Sequence, residues 1–215
     1  MKKHESVSLP VVRRLPRYYR FLSDLKKSGI IRISSKELAT QMGLTASQIR
    51  QDLNCFGGFG QQGYGYNVNQ LAAEIESILY LDTKLPAIVI GAGNLGRALT
   101  SHLYDAKGVK LIGLFDKNPR SIADINPELE VMGIGKLDEF CLQHQPKIAI
   151  LCIPSEHAQV MANRLADLGI VGFWNFSSVD LRLPDTICVE NVHLSDSIMT
   201  LGYNVNNLMG TNNAE

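Results

Sequence analysis

Cysteine is scarce in this chain. Cys55, Cys141, Cys152 and Cys188 are the whole supply in 215 residues, and no two form a C-x-x-C pair. That argues against a disulfide framework and against a thiolate metal cluster. Cys152 lies inside the apolar run Ile148–Ile153 and reads as a small core residue. The five histidines (His4, His102, His144, His157 and His193) show no H-E-x-x-H or related ligand spacing, so no metal is expected. No apolar run approaches the ~18 residues of a membrane-spanning helix. Met1–Ser6 leads into no apolar signal core. The cytoplasm is therefore the expected compartment, and no membrane partner is expected.

A net charge is also missing, since 21 Lys/Arg balance 21 Asp/Glu. The balance hides a division. Residues 1–67 hold 11 basic and 4 acidic residues, a surplus of +7, which the remainder cancels with 10 basic and 17 acidic. A basic head on an acidic body is the pattern of a chain whose head meets a polyanion. With 45% hydrophobic residues the chain can still build substantial cores.

Residues 1–12 read as disordered apart from an arm. Pro16 is placed in the first turn of a helix, with Tyr18, Tyr19, Phe21, Leu22 and Leu25 as its apolar stripe and Arg13, Arg14, Arg17 and Arg20 as its basic face. Ile30–Ile33 fits a short strand. Ser34 and Glu37 form a capping box for a second helix, and Thr45 and Gln48 form another for a third, the two helices being joined by a turn at Gly43. That is a helix-turn-helix pattern. Ser47, Gln48, Arg50, Gln51 and Asn54 are the residues expected on the exposed face of its second helix. Gln and Asn suit adenine, and Arg suits guanine or phosphate. Gly57–Tyr66 carries glycines among aromatic and amide residues, which suits a hairpin rather than a helix. Helix-turn-helix plus hairpin makes a winged helix. The residues expected to face DNA are Arg14, Arg17, Ser35, Thr45, Ser47, Gln48, Arg50, Gln51, Asn54, Gln61, Gln62 and Tyr64. Asn69 is read as the cap of one further helix.

A second pattern begins at Ala87. The apolar run Ala87–Ile90 ends in Gly91-Ala92-Gly93-Asn94-Leu95-Gly96, and an amphipathic segment follows. A second apolar run, Val109–Phe115, ends at Asp116, 20 residues past Gly96. Strand, G-x-G-x-x-G, helix and distal acid together are the dinucleotide-binding fingerprint. The helix N-terminus would receive the pyrophosphate. Asp116 would accept the adenosine ribose hydroxyls and repel a 2′-phosphate, which favours NAD over NADP. Lys117 adjoins it. Further strands are expected at Glu130–Met132, Lys147–Ile153, Ile170–Phe176 and Thr186–Val189, with helices at Leu137–Leu142 and Ser155–Leu168. Strands alternating with helices mean a parallel sheet. A last apolar-periodic segment covers Leu194–Leu208.

Read in order, these blocks closely resemble the Rex family of bacterial redox-sensing transcriptional repressors over essentially the whole chain. The resemblance rests on Arg14–Arg20, Ser34–Leu38, Ser47–Leu53, Phe56-Gly57, Gly63–Val68, Gly91–Gly96 and Trp174–Phe176. It implies an α/β chain: a winged-helix DNA-binding domain over 1–82, a Rossmann NAD(H)-binding domain over 83–192, and a C-terminal domain-swapped helix and tail over 193–215. It further implies a homodimer on AT-rich palindromic operator DNA that is released when NADH binds, with NAD+ competing. Pro154 and Asn175 match family positions near the nicotinamide, and Leu194 is placed to close that pocket from the partner. Arg20 matches an arginine that, in some members, ties the head to a tyrosine and an aspartate. Those two positions are His102 and His193 here.

Two other readings compete with this one. An NAD-dependent dehydrogenase needs a catalytic acid or base and a substrate domain. His157 and His193 are the only candidates, no accompanying constellation supports either, and the residues for a substrate domain are spent on the winged helix. A regulator with another nucleotide ligand, such as an acyl-CoA, fits poorly with Asp116. No catalytic residue is expected.

Overall fold

The computed structural model describes residues 7–57, 60–61, 64–119 and 130–212. The chain divides into two compact units, Met1–Thr83 (the head) and Lys84–Glu215 (the body).

The head opens with α1 (Leu9–Lys27), which buries Val11, Leu15, Tyr18, Leu22 and Leu25 at helical spacing. The helix starts earlier than the sequence reading placed it. Pro10 occupies the first turn, and residues 9–12 are helix rather than a disordered arm. Pro16 sits inside the helix. Its missing N–H orphans the carbonyl of Val12, and because Pro16 and Val12 are exposed, water can satisfy that carbonyl. Then come β1 (Arg32–Ile33), α2 (Ser35–Met42) and α3 (Ala46–Asn54). The Ser34–Glu37 box is reciprocal: the Glu37 N–H donates to Ser34 Oγ at 3.1 Å and the Ser34 N–H to Glu37 Oε2 at 2.8 Å. The second box is only half formed. Thr45 Oγ1 accepts from the Gln48 N–H at 3.1 Å, but the Gln48 side chain turns to Asp52 instead of returning to Thr45.

Strands β2 (Gly60–Gln61) and β3 (Gly65–Asn67) make the hairpin, and β3 pairs antiparallel with both β1 and β2. Helix α4 (Val68–Ile78) is capped by Asn67, whose side chain accepts from the Gln70 N–H at 3.0 Å; the expected cap, Asn69, is inside the helix. The helix therefore begins at Val68, which is fully buried. Leu15, Tyr18, Leu22, Leu38, Met42, Ile49, Leu53, Leu71 and Ile75 form one core under these elements.

The body is a six-stranded, wholly parallel sheet: β4 (Leu85–Ile90), β5 (Val109–Asp116), β6 (Val131–Gly133), β7 (Ile148–Leu151), β8 (Gly172–Asn175) and β9 (Cys188–Asn191). Its spatial order is β6-β5-β4-β7-β8-β9. Numbered within the body this is 3-2-1-4-5-6, the dinucleotide-binding order, with the switch point between β4 and β7. Alternate residues of β4 enter two cores, Ile88 and Ile90 on one face, Ala87 and Val89 on the other. Helices α5 (Asn94–Leu103), α6 (Leu137–His144) and α7 (Ser155–Asp167) supply the layers. The last strand is displaced from its expected place. It covers Cys188–Asn191 because Cys188 registers with Gly172 and Asn191 with Asn175, while Thr186 lies in the preceding turn. Helix α8 (Leu194–Asn212) follows.

Candidate dinucleotide and nucleic-acid sites

The body's candidate site lies where the strand order reverses. Gly91 directly follows β4 and has φ +97. A Cβ there would stand 2.4 Å from the Cys152 carbonyl oxygen, and one on Gly96 would stand 1.9 Å from the Gly91 carbonyl oxygen. Neither position accepts a side chain: the loop is folded onto β7 and onto itself. Gly93 differs, since a Cβ there would meet nothing within 4 Å. The fold does not need that glycine, but an approaching ligand would. Gly93 is also the N-cap of α5 and makes no side-chain capping bond, so first-turn N–H groups remain for an anion. Asn94 is exposed and Leu95 half-buried beside it.

Asp116 ends β5 and is fixed by two backbone groups. Its Oδ2 accepts from the Ala92 N–H at 2.8 Å and its Oδ1 from the Asn118 N–H at 2.8 Å. The acid is thereby joined to the glycine loop. Lys117 is exposed next to it. Pro154 is exposed at the start of α7, past the end of β7. Asn175 ends β8 and is fully buried. Its amide donates to Val179 O (2.6 Å) and Asn191 Oδ1 (2.8 Å), and its Oδ1 accepts from the Ser177 hydroxyl (2.6 Å). The parallel strands thus bring Gly91–Gly96, Asp116, Pro154 and Asn175 to the C-terminal end of the sheet. The donor set fits a dinucleotide: a cradle with room above Gly93, a helix N-terminus and a terminal carboxylate. Burial pushes the Cys152 thiol up to about 12, so it stays a neutral packing group under the loop.

His193 precedes α8 and is half-buried. Its Nε2 lies 2.9 Å from Asp180 Oδ1, and that hydrogen bond raises its pKa. The sequence reading missed Asp180; only a search for carboxylates near each histidine would have raised it, and the 13 intervening residues conceal the pairing. His102 is exposed on α5, Leu194 is exposed at the start of α8, and Arg20 is exposed on α1.

In the head, α3 presents Ser47, Arg50, Gln51 and Asn54 on its exposed face. Two residues expected beside them face inward instead. Arg14 donates through Nε and Nη2 to the two oxygens of Asp52 at 2.6 and 2.7 Å, and Gln48 Nε2 donates to Asp52 Oδ1 at 2.8 Å. The Tyr18 hydroxyl adds a fourth donor at 2.8 Å. Asp52 is fully buried. Burial alone would raise its pKa, but the bonds from Arg14, Tyr18 and Gln48 and the charge of Arg14 hold it below the usual value. Burial and the bond to Asp52 raise that of Tyr18. This cluster fastens α3 to α1. The sequence analysis gave Asp52 no role; its place one turn past Gln48 is the only local signal of the pairing. Arg17 donates to the Met42 carbonyl at the end of α2, and Arg50 Nη1 donates to Ser35 Oγ at 3.1 Å, joining α2 to α3. Thr45 is spent on capping α3. Tyr64 is 71% exposed. Gln61 pairs through its backbone with Gly65 in the hairpin, and Gln62 lies outside the described residues.

A winged-helix head on a dinucleotide-type body defines a class, the DNA-binding proteins governed by a nucleotide ligand. The comparisons narrow it. A family described as "Putative DNA-binding protein N-terminus" matches residues 6–54, and one described as "CoA binding domain" matches residues 82–179. The redox-sensing transcriptional repressor Rex of Caldanaerobacter subterraneus subsp. tengcongensis is 53% identical over 96% of this chain and 92% of its own length. That of Clostridium beijerinckii is 47% identical over 96% and 98%. Among solved structures, RSP, a Rex-family repressor, in complex with β-NAD+ and operator DNA superposes with a TM-score of 0.86 at 49% identity, covering 98% of both chains. Its complex with β-NADH gives 0.86 at 46% identity, covering 97% of this chain and 99% of that one. The chain belongs to the Rex family, whose matched members are named as repressors and not as enzymes. Among the described residues, no helix is long and apolar enough to cross a membrane, and no group of three or more His, Cys, Asp or Glu is placed to hold a metal.

Proposed function

We propose that this chain is a redox-sensing transcriptional repressor that binds AT-rich palindromic operator DNA and leaves it when NADH binds. The observation that carries the reading is one chain holding both a fastened helix-turn-helix with an exposed polar recognition face and a glycine cradle closed by Asp116. Ser47, Arg50, Gln51 and Asn54 are the base- and phosphate-reading residues, with Tyr64 on the hairpin. Arg14, Arg17, Ser35, Thr45 and Gln48 act chiefly by positioning α2 and α3. Gly91–Gly96 and Asp116 hold the dinucleotide, with Lys117 at the adenosine end and Pro154 and Asn175 toward the nicotinamide. Bound NAD(H) supplies the signal as a charge, since the oxidised ring is positive and the reduced ring neutral. An apolar, poorly hydrated ring pocket then favours the reduced form.

The working unit is a homodimer. Leu194, Ile198, Leu201, Val205 and Leu208 recur along α8 at alternating steps of four and three, and all are exposed. A single apolar stripe of that spacing calls for a partner helix or core, and a second copy of the chain with α8 exchanged supplies it. Leu194 then closes the partner's ring pocket, and Arg20, His102 and His193 are the candidate switch residues. Two recognition helices must stand about 34 Å apart to enter successive major grooves. NADH need only favour a dimer in which they do not. The cytoplasm, where DNA and the NAD(H) pool meet, is the compartment this function requires.

A gel shift on an AT-rich palindrome tests the reading. The shift is expected to be lost with NADH and retained with NAD+. A shift that persists at saturating NADH overturns it, as does turnover of bound NADH with a small substrate.

A further inference from the structure

The hairpin that forms the wing carries no cation of its own. The sequence has no Lys or Arg between Arg50 and Lys84, a span that includes all of β2 and β3. Phosphate attraction is the largest sequence-independent term in duplex binding, and a wing without a cation forgoes it. The three-stranded sheet nevertheless holds one. Arg32 lies on β1, paired with Asn67 of β3, and is exposed, while the next residue, Ile33, points into the core. The Arg32 guanidinium carbon stands 5.8 Å from the centre of the Tyr64 ring, and Nη1 donates to the Tyr64 carbonyl at 3.4 Å. Tyr64 is itself 71% exposed. Among the described residues, no carboxylate pairs with Arg32. Its charge is therefore neither buried nor neutralised, and the aromatic face restricts where it can point.

We propose that Arg32 is a DNA-contacting residue that supplies the wing's missing cation to an operator phosphate, with Tyr64 holding its guanidinium plane beside the hairpin. The proposal rests on the DNA-binding reading above. A guanidinium uses only one of five donors on the Tyr64 carbonyl, which leaves enough of the fork for two-pronged phosphate contact. Strand β1 is anchored through Ile33, so the charge is carried on a fixed element while the hairpin lies against the duplex.

The test is the salt dependence of operator affinity, measured by fluorescence anisotropy on the full-length protein without NADH. One phosphate contact per subunit contributes a slope of about 0.9 to log K against log salt. Arg32→Gln is expected to lower the dimer's slope by about 1.8, so that the wild-type advantage shrinks roughly twelve-fold between 50 and 200 mM salt. Arg32→Lys, which keeps the charge but not the plane, is expected to restore the slope while leaving affinity below wild type. Tyr64→Ala is expected to weaken binding less once Arg32→Gln is present than it does alone. Melting temperature and NADH fluorescence should be unchanged in Arg32→Gln. Lost affinity with an unaltered slope would make Arg32 a brace of the hairpin and overturn the proposal, as would failure of Arg32→Lys to restore the slope. If the wild-type protein itself bound no operator, the DNA-binding reading would fall first and this proposal with it.

Discussion

In the head, the candidate recognition helix is held by side chains around a charge; in the body, the glycine loop is held chiefly by backbone packed on backbone, with the Asp116 carboxylate bound to the Ala92 N–H. Asp52 draws Arg14, Tyr18 and Gln48 onto one buried carboxylate, while Gly91 and Gly96 leave no room for any side chain against Cys152 and each other. The difference teaches how each half tolerates change. An ionic anchor weakens in acid and fails by degrees as its donors are removed. The steric contacts at Gly91 and Gly96 carry no titratable group and fail with the addition of a single methyl.

The contrast can be broken most sharply at Gly96. Gly96→Ala places a carbon where 1.9 Å separates it from the Gly91 carbonyl oxygen; several kcal/mol of body stability should be lost, roughly the 3 kcal/mol or more of severe overpacking, together with NADH binding. Thermal melts followed by NADH fluorescence would measure both. Asp52→Ala comes next. Removing one partner of a buried ion pair costs about 3 kcal/mol, and because Arg14 retains some solvent access the lower end of the usual range applies. The head should melt first while NADH still binds. The native pKa of Asp52 is depressed, so its contribution is present above the unfolded carboxylate pKa and disappears as pH falls through the native one. The wild-type head should therefore lose stability in acid, and the Asp52→Asn head should lose less.

Gly93→Ala sharpens the comparison from the other side. With nothing within 4 Å, the melting temperature should hold while NADH affinity falls by about ten-fold, or ~1.4 kcal/mol; a melting temperature that falls instead would show that Gly93 serves the fold. Thr45→Ala removes the cap of α3 and should cost about 1 kcal/mol of head stability, read by chemical denaturation. The smallest effect concerns His193. Asp180 raises its pKa, so the stabilisation is complete below the ordinary histidine pKa and fades as pH rises through the raised one. An NMR titration should find the His193 midpoint lower in Asp180→Asn than in wild type.

Much of this molecule was legible before any coordinates. The fingerprint from Ile88 to Asp116 located strand, turn, helix and acid because each step of that motif is a local backbone requirement. The Ser34–Glu37 box was equally local. What escaped was non-local. The sequence reading gave Arg14 and Gln48 to DNA because both lie on polar faces of amphipathic helices, and nothing in a linear pattern reveals that a residue 38 positions away collects Arg14 inward. His193 was likewise grouped with Arg20 and His102, without Asp180. The start of α1 was misplaced because two prolines, Pro10 and Pro16, compete for the same first-turn signature. The cap of α4 was misplaced because Asn67 and Asn69 both satisfy its residue preference, and only the bond from the Gln70 N–H to Asn67 decides between them.

The bond between Asp116 and the Ala92 N–H has a thermodynamic meaning. A carboxylate offers about four lone-pair sites, and two here already face backbone N–H groups. Two remain, as many as a ribose has hydroxyls to present. The loop is consequently in place before a ligand arrives, and little conformational entropy is left to lose at that end on binding. Little of the free energy of association is then consumed in building the seat.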